Sequence, residues 1–320
     1  MESHRHGEGL FGQRDVSDGM EESISGGRRM QNERPTLNSY MYGNAVALSK
    51  MAAMASDPAK SDYYAKQAAG IKSMVQEKLW NPGLEFFDSY RVPGDSLAQV
   101  REAIGYIPWY FELPDPGYEV AWAQIKDEKG FKSPYGLTTA ERRHPEFRSH
   151  GVGSCEWDGA VWPFSSSQVI TGLANLLNDY SQDYVTKDDY LDCIKQYADS
   201  QYSRGRPYIG EYLDEVTGYW LKGENPRSDY YNHSTWADLI VTGLVGLRPR
   251  EDDVLEVNPL VPEARWDWFC MDGISYRGHD VTVLWDKDGR RYGKGAGMRI
   301  WVDGRLVSVT PGIAKAEIKL

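Results

Sequence analysis

Cysteine is scarce in this sequence: Cys155, Cys193 and Cys270 are an odd number, far apart and without a C-x-x-C pair. That excludes both a disulfide framework and a cysteine-based zinc site. Positive charge is also in short supply, with 36 Lys and Arg against 47 Asp and Glu and a net charge of -11. A phosphate-binding surface needs clustered cations, so nucleic acid is excluded as a partner. No run approaches the roughly 18 apolar residues of a membrane span, and the N-terminal stretch is polar and glycine-rich, unlike a signal peptide. The chain reads as soluble, with compartment and oligomeric state left open. The D-x-D-x-D-G calcium pattern is missing, and His144, His150 and His279 have no partners at ligand spacing. Neither a metal nor an organic cofactor is expected.

What the chain has in quantity is aromatic rings, 11 Trp and 21 Tyr in 320 residues. Most such rings belong in a core, but the same faces stack on the apolar faces of sugars. An acidic, aromatic-rich protein suits a neutral carbohydrate partner. Leu37, Met41, Ala45, Leu48, Ala52 and Ala55 recur at helical spacing. Asp57-Pro58 then offers an N-cap and a first-turn proline for a second helix through Tyr64, Ala68, Ile71, Val75 and Leu79, and the two form a hairpin. Further helices are expected near 96–104, 117–126, 164–179, 187–202 with Thr186 as cap, and 235–247. After Pro249 the period changes to two: Val281, Val283 and Trp285, a turn at Asp288-Gly289, then Met298, Ile300 and Val302 into Asp303-Gly304. The expected architecture is mainly α, an (α/α) toroid over residues 1–249, with a C-terminal β-sandwich over 250–320.

Two acidic segments lie far apart in sequence. Glu211, between Gly210 and Tyr212 on an aromatic loop, is a candidate general base; the competing reading is a solvated loop acid. Glu21, within Asp18-Gly19-Met20-Glu21-Glu22, is a candidate general acid, because neighbouring carboxylates raise one another's pKa; Asp18 is the rival. One protonated and one ionised carboxylate across a sugar is what glycoside hydrolysis requires. Trp157, Asp158 and Trp162 occupy a glycine turn before a helix, where indoles can stack on a pyranose and a carboxylate can bridge two hydroxyls, or where the two Trp simply close a core. Glu141 and Arg142 either bind hydroxyls or pin a loop as an internal ion pair. Arg34 and Asn38 open the first helix, as ligand contacts or as caps. Trp109 is the ring of its aromatic loop expected to face outward, and His233 stands before the helix expected at 235.

These segments resemble the six-hairpin glycosidases, the set around trehalases, family 63 α-glucosidases and mannosylglycerate-hydrolase-like enzymes. The family's Glu-Ser-Gly-x-Asp acid pattern is met as Ser17-Asp18-Gly19-Met20-Glu21, with Glu where the family has Asp. Its Glu-x-Tyr-x-x-x-Thr-Gly pattern resembles Glu211 to Gly218, offset by one residue, and its Trp-x-Gly-x-x-Trp turn resembles Trp157 to Trp162. The resemblance implies an (α/α)6 toroid and an inverting exo-glycosidase with Glu21 as acid and Glu211 as base. It also implies a sugar subsite lined by the aromatic residues of the Trp turn; Asp18, Arg34, Asn38, Trp109, Glu141, Arg142, Asp158 and His233 are the further candidate substrate contacts read from the residues themselves. The helical segments are fewer than six hairpins need, so the toroid reads as truncated on its N-terminal side. A carbohydrate-binding or inactive toroid fragment is the alternative. A glycoside phosphorylase ranks lower, because a Glu holds the base position and there is no Gly-rich phosphate loop.

Overall fold

The computed structural model describes residues 9–26, 30–148, 155–223 and 225–320. His150 and the first eight residues therefore lie outside the described residues. Two compact units are present, one of residues 1–185 with 196–234 and one of residues 186–195 with 235–320.

In the first unit the expected hairpin is present as α1 (Pro35–Met54) and α2 (Pro58–Lys78). Pro35 and Pro58 start the helices because a first-turn residue needs no N–H partner. Asp57 caps α2 by accepting a hydrogen bond from the Lys60 amide at 3.1 Å. The apolar stripe of α2 buries Ala68, Ile71 and Val75. Between residues 80 and 140 the chain forms short two-residue ladders and 3-10 turns around an aromatic core of Phe86, Phe87, Tyr106, Trp109, Trp122 and Phe131, all essentially fully buried.

That core corrects two expectations. Residues 96–104 are not a helix: Ser96–Leu97 is a strand and Gln99 has φ +64°. Helix resumes only as a 3-10 turn at Ala103–Tyr106 and a short turn at Ile107–Tyr110. Residues 119–125 are likewise 3-10. α3 (Pro163–Asp179) packs against the Ile107–Tyr110 turn and buries Val169, Ile170, Leu173 and Leu176. Helices make up 34% of the chain and no closed ring of hairpins is formed among the described residues. The Pro, Gly and Trp-rich loops between the helices use their backbone groups in local ladders instead. A short hairpin, β1 (Tyr202–Ser203) with β2 (Arg206–Pro207), follows later in this unit.

α4 (Lys187–Ser200) begins in the second unit. Thr186 and Asp189 cap it reciprocally: Asp189 Oδ2 accepts from the Thr186 amide at 2.7 Å, and Thr186 Oγ1 accepts from the Asp189 amide at 3.4 Å. The helix expected over 235–247 is shorter, four residues at Trp236–Leu239 followed by a π-turn at Ile240–Leu244. There Gly243 lies against the Tyr190 ring and the Tyr190 hydroxyl donates to the Leu239 carbonyl at 3.1 Å.

The remainder is all β. A three-stranded sheet orders β3 (Leu247–Arg248), β4 (Val254–Val257) and β9 (Ala316–Lys319); a four-stranded antiparallel sheet runs β5 (Trp268–Tyr276), β6 (His279–Asp286), β7 (Gly297–Val302), β8 (Arg305–Thr310). Val281, Val283 and Trp285 face Val302, Ile300 and Met298 across the ladder. With Leu255 and Val257 they form one shared core between the sheets, as alternation with period two requires. Asp303 and Gly304 are both left-handed, at φ +49° and +72°, the backbone a two-residue hairpin needs.

Candidate active site

Three segments of the first unit converge. Met20, Trp157, Ala160, Trp162 and Tyr212 share one buried cluster, with Cys155 and Leu221 packed on it. Met20 and Tyr212 are the immediate neighbours of Glu21 and Glu211, so both acidic segments are anchored on the same apolar ground. The Trp turn and the Glu211 loop are knitted together by paired backbone bonds, Val161 N to Leu213 O and Leu213 N to Val161 O, each 3.0 Å. Gly159 permits the turn: its φ is +153°, and a Cβ there would lie 2.6 Å from the Phe147 ring.

Above this ladder the rings stack. Trp157 and Trp162 lie 4.3 Å apart at 19°, and Trp162 and Tyr212 lie 4.5 Å apart at 10°. His233 stacks on Phe164 at 5.8 Å. Burial pushes the His233 imidazole below its ordinary pKa, against opposing pulls from the Tyr231 carbonyl and the Glu211 charge. The ring is thus biased toward neutrality, able to give or take a hydrogen bond.

Cys155 ties the two acids together. Its thiol is part-buried on the Met20–Trp157–Trp162–Tyr212 cluster and feels the charges of both Glu21 and Glu211. Burial first, then those two carboxylates, push it up to about 12. Glu211 is oriented by Ser228, whose hydroxyl donates to Oε2 at 2.6 Å. Glu21 Oε2, Trp157 Nε1 and His233 Nε2 are among the buried polar atoms that have no hydrogen-bond partner among the described residues. Such atoms cost about 1–3 kcal/mol each if left so, and they cluster where a polyhydroxylated ligand could satisfy them. Trp162 Nε1, by contrast, is satisfied by the Glu156 carbonyl at 3.0 Å.

The remaining predicted site residues divide. Asp18 is part-buried and accepts from Arg34 Nη1 at 2.7 Å and from the Met20 amide at 3.1 Å. Arg34, wholly buried, also donates to Ser23 Oγ at 2.6 Å, so this pair braces the Glu21 turn from behind. Asn38 bonds both ways to the Phe11 backbone, accepting at 2.8 Å and donating at 2.9 Å, which occupies its amide structurally. Glu141 is buried and paired to Arg101 Nη1 at 2.7 Å, and Arg142 donates to the Glu128 and Lys132 carbonyls. The two are not paired with each other: Glu141 pairs with Arg101 and Arg143, and Arg142 with backbone carbonyls. Trp109, expected outward, is fully buried edge-on to Phe87 and Trp122. Asp158 is fully buried within the Trp turn, and its carbonyl accepts from the Arg148 amide at 2.9 Å.

Sequence reasoning passed over Arg148, Glu156, Asp214 and Glu215. Arg148 pairs with Glu156 and reaches Asp214 at 3.5 Å and Glu215 at 3.7 Å, joining the Trp turn to the Glu211 loop a second time. Burial raises the pKa of Glu156 and Glu215, and the Arg148 charge opposes it. The only sequence signal was a lone Arg before a glycine-rich stretch. Cys155 and Ser228 gave none. Among the described residues no group of three or more His, Cys, Asp or Glu is placed to hold a metal ion, and no helix is long and apolar enough to cross a membrane.

Comparison with known proteins gives this geometry its context. A solved structure titled "Sialidase" is 57% identical, with a TM-score of 0.96 over 99% of this chain; the chain spans only 29% of that protein. An uncharacterised protein of Borreliella burgdorferi is 24% identical over 150 residues, covering 45% of this chain and 31% of its own length. A GH63 mannosylglycerate hydrolase from Thermus thermophilus, solved in complex with glucose, is 19% identical over 60% of this chain and 42% of its own, with a TM-score of 0.47. Residues 247–309 match the C-terminal domain of glycosyl hydrolase family 65. Residues 1–234 match the mannosylglycerate hydrolase MGH1-like glycoside hydrolase domain, and the chain belongs to that family.

Proposed function

We propose that this chain carries the acid and base of an inverting exo-glycosidase, as part of an (α/α)6 toroid. Glu21 donates a proton to the glycosidic oxygen while Glu211, held by Ser228, takes a proton from the water that attacks the anomeric carbon from the opposite face. The oxygen leaves with the aglycone and the sugar leaves with inverted configuration. This mechanism needs roughly 6.5–9.5 Å between the carboxyls, to fit the water and the sugar. The Trp157, Trp162 and Tyr212 stack offers the platform for the ring, with Trp157 Nε1 and His233 Nε2 turned to its hydroxyls. Asp18 and Arg34 set the Glu21 turn. The observation that carries the reading is the buried cluster shared by Met20, Trp157, Trp162 and Tyr212, which anchors the segments of Glu21 and Glu211 on the same ground. Replacing Glu211 by Gln and following a panel of aryl glycosides by NMR tests it. Turnover should fall by at least two orders of magnitude, as removal of a catalytic base requires; turnover equal to the parent chain's defeats it.

A second reading, a saccharide-binding fragment without turnover, is favoured by one observation: the chain spans 29% of the protein it is 57% identical to. Binding without hydrolysis by this chain, together with hydrolysis by a longer chain containing it, selects that reading.

A further inference from the structure

A cavity lies on the β1–β2 hairpin, with a volume of about 770 Å³, within the range of small-molecule sites. Glu21 and Glu211 do not line it. Its walls are Tyr202, Tyr208, Tyr219 and Tyr230, closed on one side by Trp220, and its rim carries Arg204 and Arg206. Tyr202 is 52%, Tyr219 58% and Tyr230 73% exposed, an unusual outlay of rings on one surface unless something covers them. Trp220 is fixed from within, donating its indole N–H to the Tyr202 carbonyl at 3.0 Å. Tyr208 is fixed by its hydroxyl, which donates to Asp229 at 2.8 Å. Trp220 and Tyr208 are thus held by hydrogen bonds, and the Tyr230 ring packs 5.9 Å from Tyr208.

The charge is as telling as the rings. In a protein of net charge -11, Arg204 and Arg206 are exposed, and neither has an ion pair among the described residues. Asp229, the nearby acid, is already engaged by Tyr208. Two unpaired guanidiniums at the mouth of an aromatic slot present planar forks that match a carboxylate, while the ring faces match the apolar faces of a pyranose.

We infer that this cavity is an accessory site for a carboxylate-bearing saccharide, separate from the Trp157–Trp162–Tyr212 platform. The site stands independently of the hydrolytic reading, since it uses neither candidate catalytic acid. It nevertheless borders the base: Asp229, which holds Tyr208, follows Ser228, which holds Glu211.

The test is saturation-transfer NMR on the whole chain with methyl glucuronide and methyl glucoside, a pair that differs only at the carboxylate. The glucuronide should bind saturably, at least about tenfold more tightly than the glucoside. Replacing both surface arginines, Arg204→Ala with Arg206→Ala, should cost that factor without altering the far-ultraviolet circular dichroism, and Tyr202→Ala should weaken both sugars. Glu211→Gln, which abolishes the proposed hydrolysis, should leave glucuronide binding unchanged, so that failure here and failure of the hydrolase reading are told apart. Equal affinity for the two sugars, glucuronide binding that survives loss of both arginines or disappears with Glu211→Gln, or tighter binding of adenosine monophosphate than of glucuronide overturns the inference.

Discussion

The Cys155 thiol, packed beside Met20, feels the charge of the Glu21 carboxylate, and the Glu211 charge is felt at the same place. A thiol pushed up to about 12 is almost wholly protonated at pH 8 and reacts slowly with alkylating agents. Glu21→Gln removes a charge and leaves only a neutral amide oxygen as acceptor, and Glu211→Gln removes a more distant charge. Iodoacetamide labelling of the Cys155 peptide at pH 8, followed by mass spectrometry, should therefore accelerate severalfold in each, more in Glu21→Gln. Unchanged labelling in Glu211→Gln would mean the two carboxylates do not share one space.

Ser228 should matter to turnover more than to folding. Its hydroxyl is one hydrogen bond, worth about 1 kcal/mol, but it sets the direction of Glu211 Oε2. Ser228→Ala is expected to lower kcat about threefold to tenfold with little change in KM, and to move the urea midpoint only slightly. A large KM effect with kcat intact would place Ser228 in sugar binding instead.

Arg148 holds two loops through buried acids. With Glu156 almost fully buried and Arg148 only 19% exposed at its side chain, Arg148→Met leaves a carboxylate without its counter-ion and should destabilise the chain by about 3 kcal/mol. Adding Glu156→Gln should recover part of that loss. Denaturant unfolding of both singles and the double gives the coupling; strict additivity contradicts the pairing.

Asp88 gives the chain a pH dependence. Burial, the largest cause, raises its carboxyl to about 6 from an ordinary 3.8, against hydrogen bonds from Asn81, Gln99 and Ser89. Because the folded state binds this proton more tightly than the unfolded state, the group costs nothing when both are protonated, below about pH 4. Stability then falls as pH rises between 3.8 and 6, by about 3 kcal/mol from this residue. Asp88→Asn sets an amide against three donors and lowers the baseline, yet it should remove this part of the slope. Urea midpoints from pH 4 to 7 with the same slope in both proteins would contradict the assignment.

Where the sequence carried a period and a cap, it was legible. α1, α2, α3 and α4 lie where the 3.6-residue spacing puts them, with Asp57 and Thr186 capping as expected. The Asp303-Gly304 turn joins two of the alternating strands. Local signals failed where long-range packing sets the backbone: residues 96–104 have helix-compatible composition, but Ser96–Leu97 pairs with Tyr90–Arg91 and Ala98 and Val100 are drawn into a cluster with Ile24 and Ala140. Trp109 was misread for the same reason, since a buried ring and a sugar-facing ring have the same local sequence. In the candidate site, the Trp turn and Glu211 could be found because their spacing within one loop carries information. Cys155, Arg148 and Ser228 could not, because each acts on a partner that only the folded chain brings near.

The most direct measurement of the proposed chemistry is the configuration of the first-formed sugar, read by proton NMR within the first minutes of hydrolysis of an aryl glycoside, before mutarotation. Two carboxyls acting on opposite faces of one sugar predict the anomer opposite to that of the substrate. Release of the same anomer would mean a covalent glycosyl-enzyme and a closer pair of acids, and would contradict the roles given to Glu21 and Glu211.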